Sequence, residues 1–311
     1  MEAIEVLNIT KRFGENLVLD NVSFNVNEGE IFGFIGPNGA GKSTLINIMT
    51  TILYPDRGTI KICGFDILKE PVKAKECIGY VPQDISLLEE LNAYGNLEYF
   101  GALYGLKGKL LKERIKEAIK ITGLEEKKRE KVKKYSGGMK RRLNLAVGIM
   151  HHPKVLILDE PTVGIDPQSR NHIFNFIKKV GKEWGTTVIY TSHYIEEVEE
   201  LCDRVFIIDN GKEIAYGKKE DIKASIFPNN KVTIYTDNIK GELSLEIKSL
   251  QGIINLTEEE GKIILTINEK FSIGDILKLL EEKKIYIKKI SYDEAKLEDV
   301  FLTLTGKRLR D

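Results

Sequence analysis

The sequence predicts an α/β fold, a mostly parallel sheet served by helices, with a small ferredoxin-like α+β domain behind it. Three observations predict it. A short apolar strand (Glu30–Ile35), a glycine-rich loop and a helix (Thr44–Met49) follow one another directly. Val155–Leu158 is apolar without alternation and Thr187–Thr191 reads likewise, the pattern of strands buried on both faces of a parallel sheet. Beyond Asn230 the order becomes strand, helix, strand, strand, helix, strand, which suggests the ferredoxin-like arrangement.

Taken in order, Glu2–Ile9 and Val18–Val26 alternate and read as paired strands around a turn at Lys11–Asn16. Thr59–Cys63 and Ile78–Val81 read as further strands. The pattern then turns helical, with apolar positions at helical spacing in Leu91–Tyr104, Leu110–Thr122 and Met139–Met150. Asn171–Lys182 and Ile195–Leu201 read as helices. Val205–Ile208 and Glu213–Tyr216 flank Asp209-Asn210-Gly211, a hairpin signal. Phe227–Asn230 reads as a linker, with the linker itself at 228–230, so the expected domains are 1–227 and 231–311. The second contains no His and no Cys, which points to regulation or assembly there rather than catalysis.

Lys+Arg and Asp+Glu both number 47, so no charge surplus argues for nucleic acid or an anionic surface. Cys63, Cys77 and Cys202 are scattered and odd in number, so neither structural disulfides nor a zinc site is expected, as suits a reducing cytosol. No segment approaches the roughly 18 apolar residues that cross a bilayer. Any crossing is therefore expected of another chain.

Gly36–Thr44 fits G-x-x-x-x-G-K-[ST], with Gly36, Gly41, Lys42 and Ser43 at the fixed positions. Glycines let successive N–H groups turn toward one anion, and the following helix points its positive dipole end at the same place. Far downstream, Asp159 and Glu160 close the apolar strand Val155–Leu158, at the end of a strand where open α/β sheets hold ligands. Asp159 sits where a P-loop protein holds its Mg²⁺ together with the Ser43 hydroxyl, and of the two carboxylates one would organise the metal while the other accepts a proton from attacking water. Ser136 reads as the N-cap of a helix whose first turns carry Lys140, Arg141 and Arg142, the wrong sign for that end. An anion on Ser136-Gly137-Gly138 would relieve the conflict. Two phosphate-binding helix ends in one chain point to a symmetric dimer, each serine-glycine end facing the partner's loop.

Gly36–Thr44, Gln83, Tyr135–Met139, Val155–Glu160, Gly164-Ile165-Asp166 and His193 resemble, in order, the Walker A, Q-loop, signature, Walker B, D-loop and H-loop motifs of ABC-type ATPases, over roughly residues 1–225. The resemblance implies a P-loop NTPase core with an antiparallel β subdomain and a helical subdomain at about 84–150. It implies that Phe13 stacks on adenine and that Gly36, Asn38, Gly39, Gly41, Lys42, Ser43, Thr44 and Gln83 bind ATP. Ser43, Gln83 and Asp159 would hold Mg²⁺, Glu160 would be the general base and His193 would contact the γ-phosphate. Ser136, Gly137 and Gly138 would cap the partner's ATP, with Asp166 in the D-loop. Read alone, Asp166-Pro167 is equally an N-cap and first helical residue, His193 a residue beside a helix start, and Gln83 an ordinary loop residue.

Leu297-Glu298-Asp299-Val300-Phe301, after a small α/β domain, looks like the ABC-2-type exporter ATPases of the drug-resistance and sodium-efflux kind. Leu91–Leu97 resembles their Thr-x-x-Glu-Asn-Leu segment, with Gly95 where Glu is usual. The resemblance implies a subunit on the cytoplasmic face of the cell membrane, driving a separate integral membrane permease that exports a drug, lipid or ion. A soluble ABC ATPase acting on ribosomes or DNA, and an importer subunit, remain the alternatives.

Overall fold

The structure is a computed structural model and describes residues 1–236, 241–293 and 295–306. The C-terminal limit expected at 311 lies outside them. The chain divides into two units, Met1–Lys219 with the residues from Phe301 onward, and Glu220–Val300.

The first unit begins with β1 (Glu2–Phe13), β2 (Asn16–Asn27), β3 (Ile31–Ile35), α1 (Lys42–Met49), β4 (Arg57–Ile62) and β5 (Phe65–Asp66). It continues through α2 (Pro71–Glu76), β6 (Ile78–Val81), α3 (Ala93–Leu103), α4 (Gly108–Ile121) and α5 (Gly137–Gly148). β7 (Val155–Asp159), α6 (Pro167–Trp184), β8 (Thr187–Ser192), α7 (Ile195–Leu201), β9 (Arg204–Asp209) and β10 (Lys212–Lys218) complete it.

Two sheets organise this unit. β2-β1-β4-β5 is antiparallel, and β10-β9-β3-β8-β7-β6 is parallel except for β10 at its edge. The parallel strands put the ends of β3, β6, β7 and β8 on one edge of the sheet, so the segments starting at Gly36, Pro82, Glu160 and His193 leave from the same edge. That edge is where open α/β sheets place ligands. An aromatic cluster joins the two sheets. Phe24 of β2 stacks on Phe32 of β3 at 5.6 Å and lies 4.7 Å from Phe206 of β9. All three rings are buried, each worth about 1.5–3 kcal/mol over exposure.

The second unit carries α8 (Lys219–Ile226), whose first residue precedes the division, then β11 (Asn230–Thr236), α9 (Gly241–Lys248), β12 (Ile253–Glu259) and β13 (Lys262–Ile267). α10 (Ile273–Glu282), β14 (Ile287–Asp293) and the first residues of α11 (Leu297–Thr305) follow, the helix from Phe301 on being counted with the first unit. Its sheet order, β12-β13-β11-β14 with antiparallel neighbours, is the ferredoxin-like arrangement. Val232, Ile234, Ile263, Leu265, Ile276 and Leu280 form its buried core.

The elements differ from the sequence reading in places, each for a physical reason. β1 continues to Phe13, because Gly14 takes φ 59° and lets a tight turn pair Phe13 with Asn16. α3 begins at Ala93 rather than Leu91, since the Asn92 side chain accepts from Gly95 N at 2.8 Å and caps it there. α2 and α8 were not anticipated; Ala74 alone is buried in α2 and Ile222 alone in α8, so neither shows an apolar period. The division between units falls before most of α8, ahead of Phe227–Asn230.

Candidate active site

The glycine loop leaves β3 and enters α1 directly. Gly41 sits at φ 106°, and a Cβ there would lie 2.9 Å from Val18 O, so only glycine fits. Gly36 is buried; Asn38 and Gly39 at the loop tip and Ser43 are exposed, with Thr44 half-buried. Lys42 is buried and curls over its own loop, donating from Nζ to Gly36 O at 2.6 Å and Pro37 O at 3.1 Å. Burial pulls its ammonium below the usual lysine value, with the charges of Glu160 and Asp159 acting the other way. The loop lysine and the two carboxylates therefore share one electrostatic neighbourhood.

Asp159 ends β7 and is buried, which pushes its carboxyl above the usual range, while a hydrogen bond from Thr191 on β8 opposes the shift. Thr191 Oγ1 donates to Asp159 Oδ1 at 2.9 Å and accepts from Glu160 N at 2.9 Å. One hydroxyl thus fixes both acids. Glu160 takes φ 46°, an uncommon conformation for a side-chain-bearing residue, and that turn redirects its carboxylate. His193 Nδ1 meets Glu160 Oε2 at 3.1 Å, and Gln83 Nε2 lies 3.4 Å from the same oxygen. A carboxylate only accepts, so the histidine proton in this bond is on Nδ1. Gln83, Glu160 and His193, from three separate segments, converge on one point. Asp159, Ser43 and Gln83 together supply oxygen donors, the kind a hard divalent cation takes.

Ser136 caps α5, accepting at Oγ from Met139 N at 3.3 Å. The three cations behind it have partners of their own. Lys140 pairs with Glu89 at 2.5 Å, Arg141 donates to Pro82 O and Gln83 O, and Arg142 donates to Thr122 O and Gly123 O. The wrong-sign argument for an anion at this helix end therefore loses its force, because protein carbonyls and a carboxylate already take those charges. The two glycines differ. A Cβ on Gly137 would meet nothing within 4 Å, whereas one on Gly138 would lie 2.2 Å from Ser169 Oγ. Gly138 thus sits against the start of α6, where Asp166 accepts from Ser169 N at 2.9 Å as the N-cap.

Phe13 is 49% exposed at the end of β1, its ring 5.5 Å from Lys11 Nζ. It lies one short turn from Val18, the strand residue that walls Gly41. The sequence reading assigns no site role to Thr191 or Glu197 and takes Arg141 only as a cation at the wrong end of its helix. Glu197 Oε2 accepts from Thr162 Oγ1 at 2.7 Å, Tyr190 OH at 2.8 Å and Ser192 Oγ at 2.9 Å. It binds together the chain that follows Glu160 and the chain that precedes His193. A charged residue on an otherwise buried helix face was the available signal for Arg141 and Glu197.

A family described as ABC transporter matches residues 19–163, and one described as ATP-binding protein DrrA1-3-like, C-terminal domain, matches residues 217–305. The chain is 42% identical to the linearmycin resistance ATP-binding protein LnrL of Bacillus subtilis (strain 168), over 99% of this chain and 100% of that one. It is 34% identical to the Nod factor export ATP-binding protein I of Ralstonia nicotianae, over 99% of this chain and 95% of that one. The daunorubicin resistance ATP-binding protein DrrA3 of Streptomyces coeruleorubidus is also 34% identical, over 98% of this chain and 96% of that one. Among solved structures, cbiO1 of Clostridium perfringens, part of an ABC transporter complex, superposes with a TM-score of 0.67 at 31% identity, over 72% of this chain and 92% of that one. A dimeric ATP-binding cassette in a post-hydrolysis state, bound to ADP and Pi, superposes with a TM-score of 0.63 at 28% identity, over 69% and 98%.

Proposed function

The chain belongs to the ATP-binding proteins of ABC transporters and is an ATPase, and from that premise we propose that it powers export through a separate integral membrane permease. Among the described residues no helix is long and apolar enough to cross a membrane, and in this reading the permease makes the crossing while this chain works at its cytoplasmic face, as the family membership implies. The full-length similarity to drug-resistance and Nod factor export ATP-binding proteins supports export, with a drug, lipid or ion as cargo.

In this reading Gly36–Thr44 cradles the phosphates, Phe13 stacks on adenine, and Lys42 exchanges its own loop carbonyls for β- and γ-phosphate oxygens. Mg²⁺ would be held by Asp159, Ser43 and Gln83, whose oxygen donors fit it, and would supply charge neutralisation on the phosphates. Glu160 accepts the proton of the attacking water as its oxygen bonds to the γ-phosphorus and ADP departs with the electron pair of the broken bond. His193, held by Glu160, orients toward the γ-phosphate. Ser136, Gly137 and Gly138 of a second copy close the site, with Asp166 beside them, in a head-to-tail homodimer.

The convergence of Gln83 and His193 on Glu160 Oε2 carries this assignment. Glu160→Gln is expected to lower turnover by roughly 10²–10⁴ while fluorescent-nucleotide titration shows ATP still bound. Near-normal hydrolysis in that variant refutes Glu160 as the base.

A further inference from the structure

The second unit holds a cleft of about 750 Å³, the size of a small-molecule site. Every residue lining it falls within Glu220–Val300, so it shares no residue with the nucleotide site of the first unit. One wall follows from strand register. β11 sets Asn230 opposite Ile267 of β13, and Val232 opposite Tyr292 of β14, with Ile290 two residues before Tyr292. Side chains alternate along a strand, so these five stand on one face of the sheet. Further along, the same face packs on α9 and α10 through Val232, Ile234 and Leu265.

At the Asn230 end the opposing surface is α8. It turns one stripe to the cleft, Glu220, Lys223, Ala224 and Phe227, at the spacing i, i+3, i+4, i+7. Phe227 prolongs the helical turn by donating its N–H to Lys223 O at 2.8 Å. Ile222, the buried residue of α8, lies on the opposite side of the helix, which is therefore seated by that side. The third wall is fixed by the backbone. Phe271 N donates to Asn268 O at 3.1 Å, and Asn268 N donates to Gly252 O at 2.9 Å. A Cβ on Gly252, at φ 87°, would fall 2.3 Å from Phe271 N, so only glycine permits this approach. The cleft is thus preformed rather than opened by a ligand.

Its lining has two chemical sides. Phe227, Phe271, Ile273 and Ile290 are apolar and none of them is fully buried, so apolar surface remains to be covered. Lys223 is the one cation among the described lining residues, and its side chain is only 12% exposed. Its Nζ lies 2.9 Å from Glu220 Oε2, but the Glu220 side chain is 65% exposed, and an ion pair with a solvated carboxylate contributes little. Glu269, the other carboxylate of the lining, is exposed as well. An acid held inside the cleft meets the same ammonium at lower dielectric and gains more from it.

We propose that this cleft binds an amphipathic organic acid of drug size, its apolar body against Phe227, Phe271 and Ile273 and its anionic head on Lys223. The site belongs wholly to the second unit and does not rest on the ATPase reading, so the two stand or fall separately.

The test is fluorescence titration of the full-length chain with dansyl-undecanoate, an acyl chain ending in one carboxylate, and with its uncharged methyl ester. Saturating ADP is present throughout, so that the nucleotide site does not take up the probe. One acid per chain is expected to bind, with a Kd of roughly 10–100 µM, and the ester about tenfold more weakly. Lys223→Met, which keeps the length and loses the charge, is expected to bring the acid down to the affinity of the ester. Ala224→Trp places a ring in the cleft from an exposed helix position and is expected to weaken both probes by more than about tenfold. Ile273→Glu, at a side chain already 40% exposed, is expected to weaken the acid more than the ester. An ester that binds wild type as tightly as the acid overturns the proposal, since the head group then does nothing. Acid binding unchanged in both Ala224→Trp and Ile273→Glu overturns it too, because the probe then sits elsewhere. So does the absence of saturable binding below about 1 mM.

Discussion

Thr191→Val replaces one hydroxyl by a methyl of nearly the same size, at a side chain that is 0% exposed. That hydroxyl accepts from Glu160 N and donates to Asp159 Oδ1, both at 2.9 Å. The variant leaves a buried N–H and a buried carboxylate oxygen without this partner. At about 1–3 kcal/mol for each unsatisfied group, the expected loss is roughly 2–5 kcal/mol at pH 7. Part of it depends on pH. Burial holds the Asp159 carboxyl above its unfolded value, and the Thr191 bond acts against that rise. A raised carboxyl costs stability where it is ionised, and the cost vanishes once it is protonated in both states. The variant enlarges the cost, so its deficit should grow as pH rises from below about 4 toward 7. The part due to Glu160 N should not change with pH. Trp184, the single tryptophan, lies in the first unit, so its fluorescence in a urea titration follows that unit. Because the same bond holds Glu160 at φ 46°, kcat is expected to fall by roughly 10- to 100-fold. A deficit under about 0.5 kcal/mol at pH 7, with kcat unchanged, refutes the reasoning.

The two signature glycines should respond differently to alanine. Gly138→Ala places a Cβ 2.2 Å from Ser169 Oγ and should cost about 1–3 kcal/mol, recovered in part by adding Ser169→Gly; a Gly138→Ala chain as stable as Gly137→Ala contradicts this. Glu197→Gln removes the charge on which three hydroxyls converge, and a loss of about 2–4 kcal/mol is expected in the same urea titration. An unchanged midpoint with unchanged slope would show that the cluster does not depend on that charge.

The site was legible in part because its pieces are local. Strand, glycine loop and helix at Glu30–Met49 declare themselves within twenty residues, and Asp159-Glu160 closes an apolar run that only a buried strand explains. Thr191 was read as the end of a buried strand, yet its role depends on β8 lying beside β7, and sheet order is not written in either strand. Arg141 was read as a charge at the wrong end of a helix. Its partners are carbonyls 58 and 59 residues away, and a carbonyl carries no side-chain signature. α2 and α8 failed for a different reason: each buries a single side chain, so periodicity had nothing to register. The ferredoxin-like order was legible because its helices and strands switch period cleanly at each boundary.

The central claim is that one chain holds half of a hydrolytic site and a second copy completes it with Ser136, Gly137 and Gly138. The most direct measurement is ATPase activity per chain as the protein is diluted through its dimer dissociation constant, with the dimer fraction followed by sedimentation in the same ATP. Activity per chain is predicted to fall in step with the dimer fraction. Activity that stays constant while the dimer disappears would contradict it.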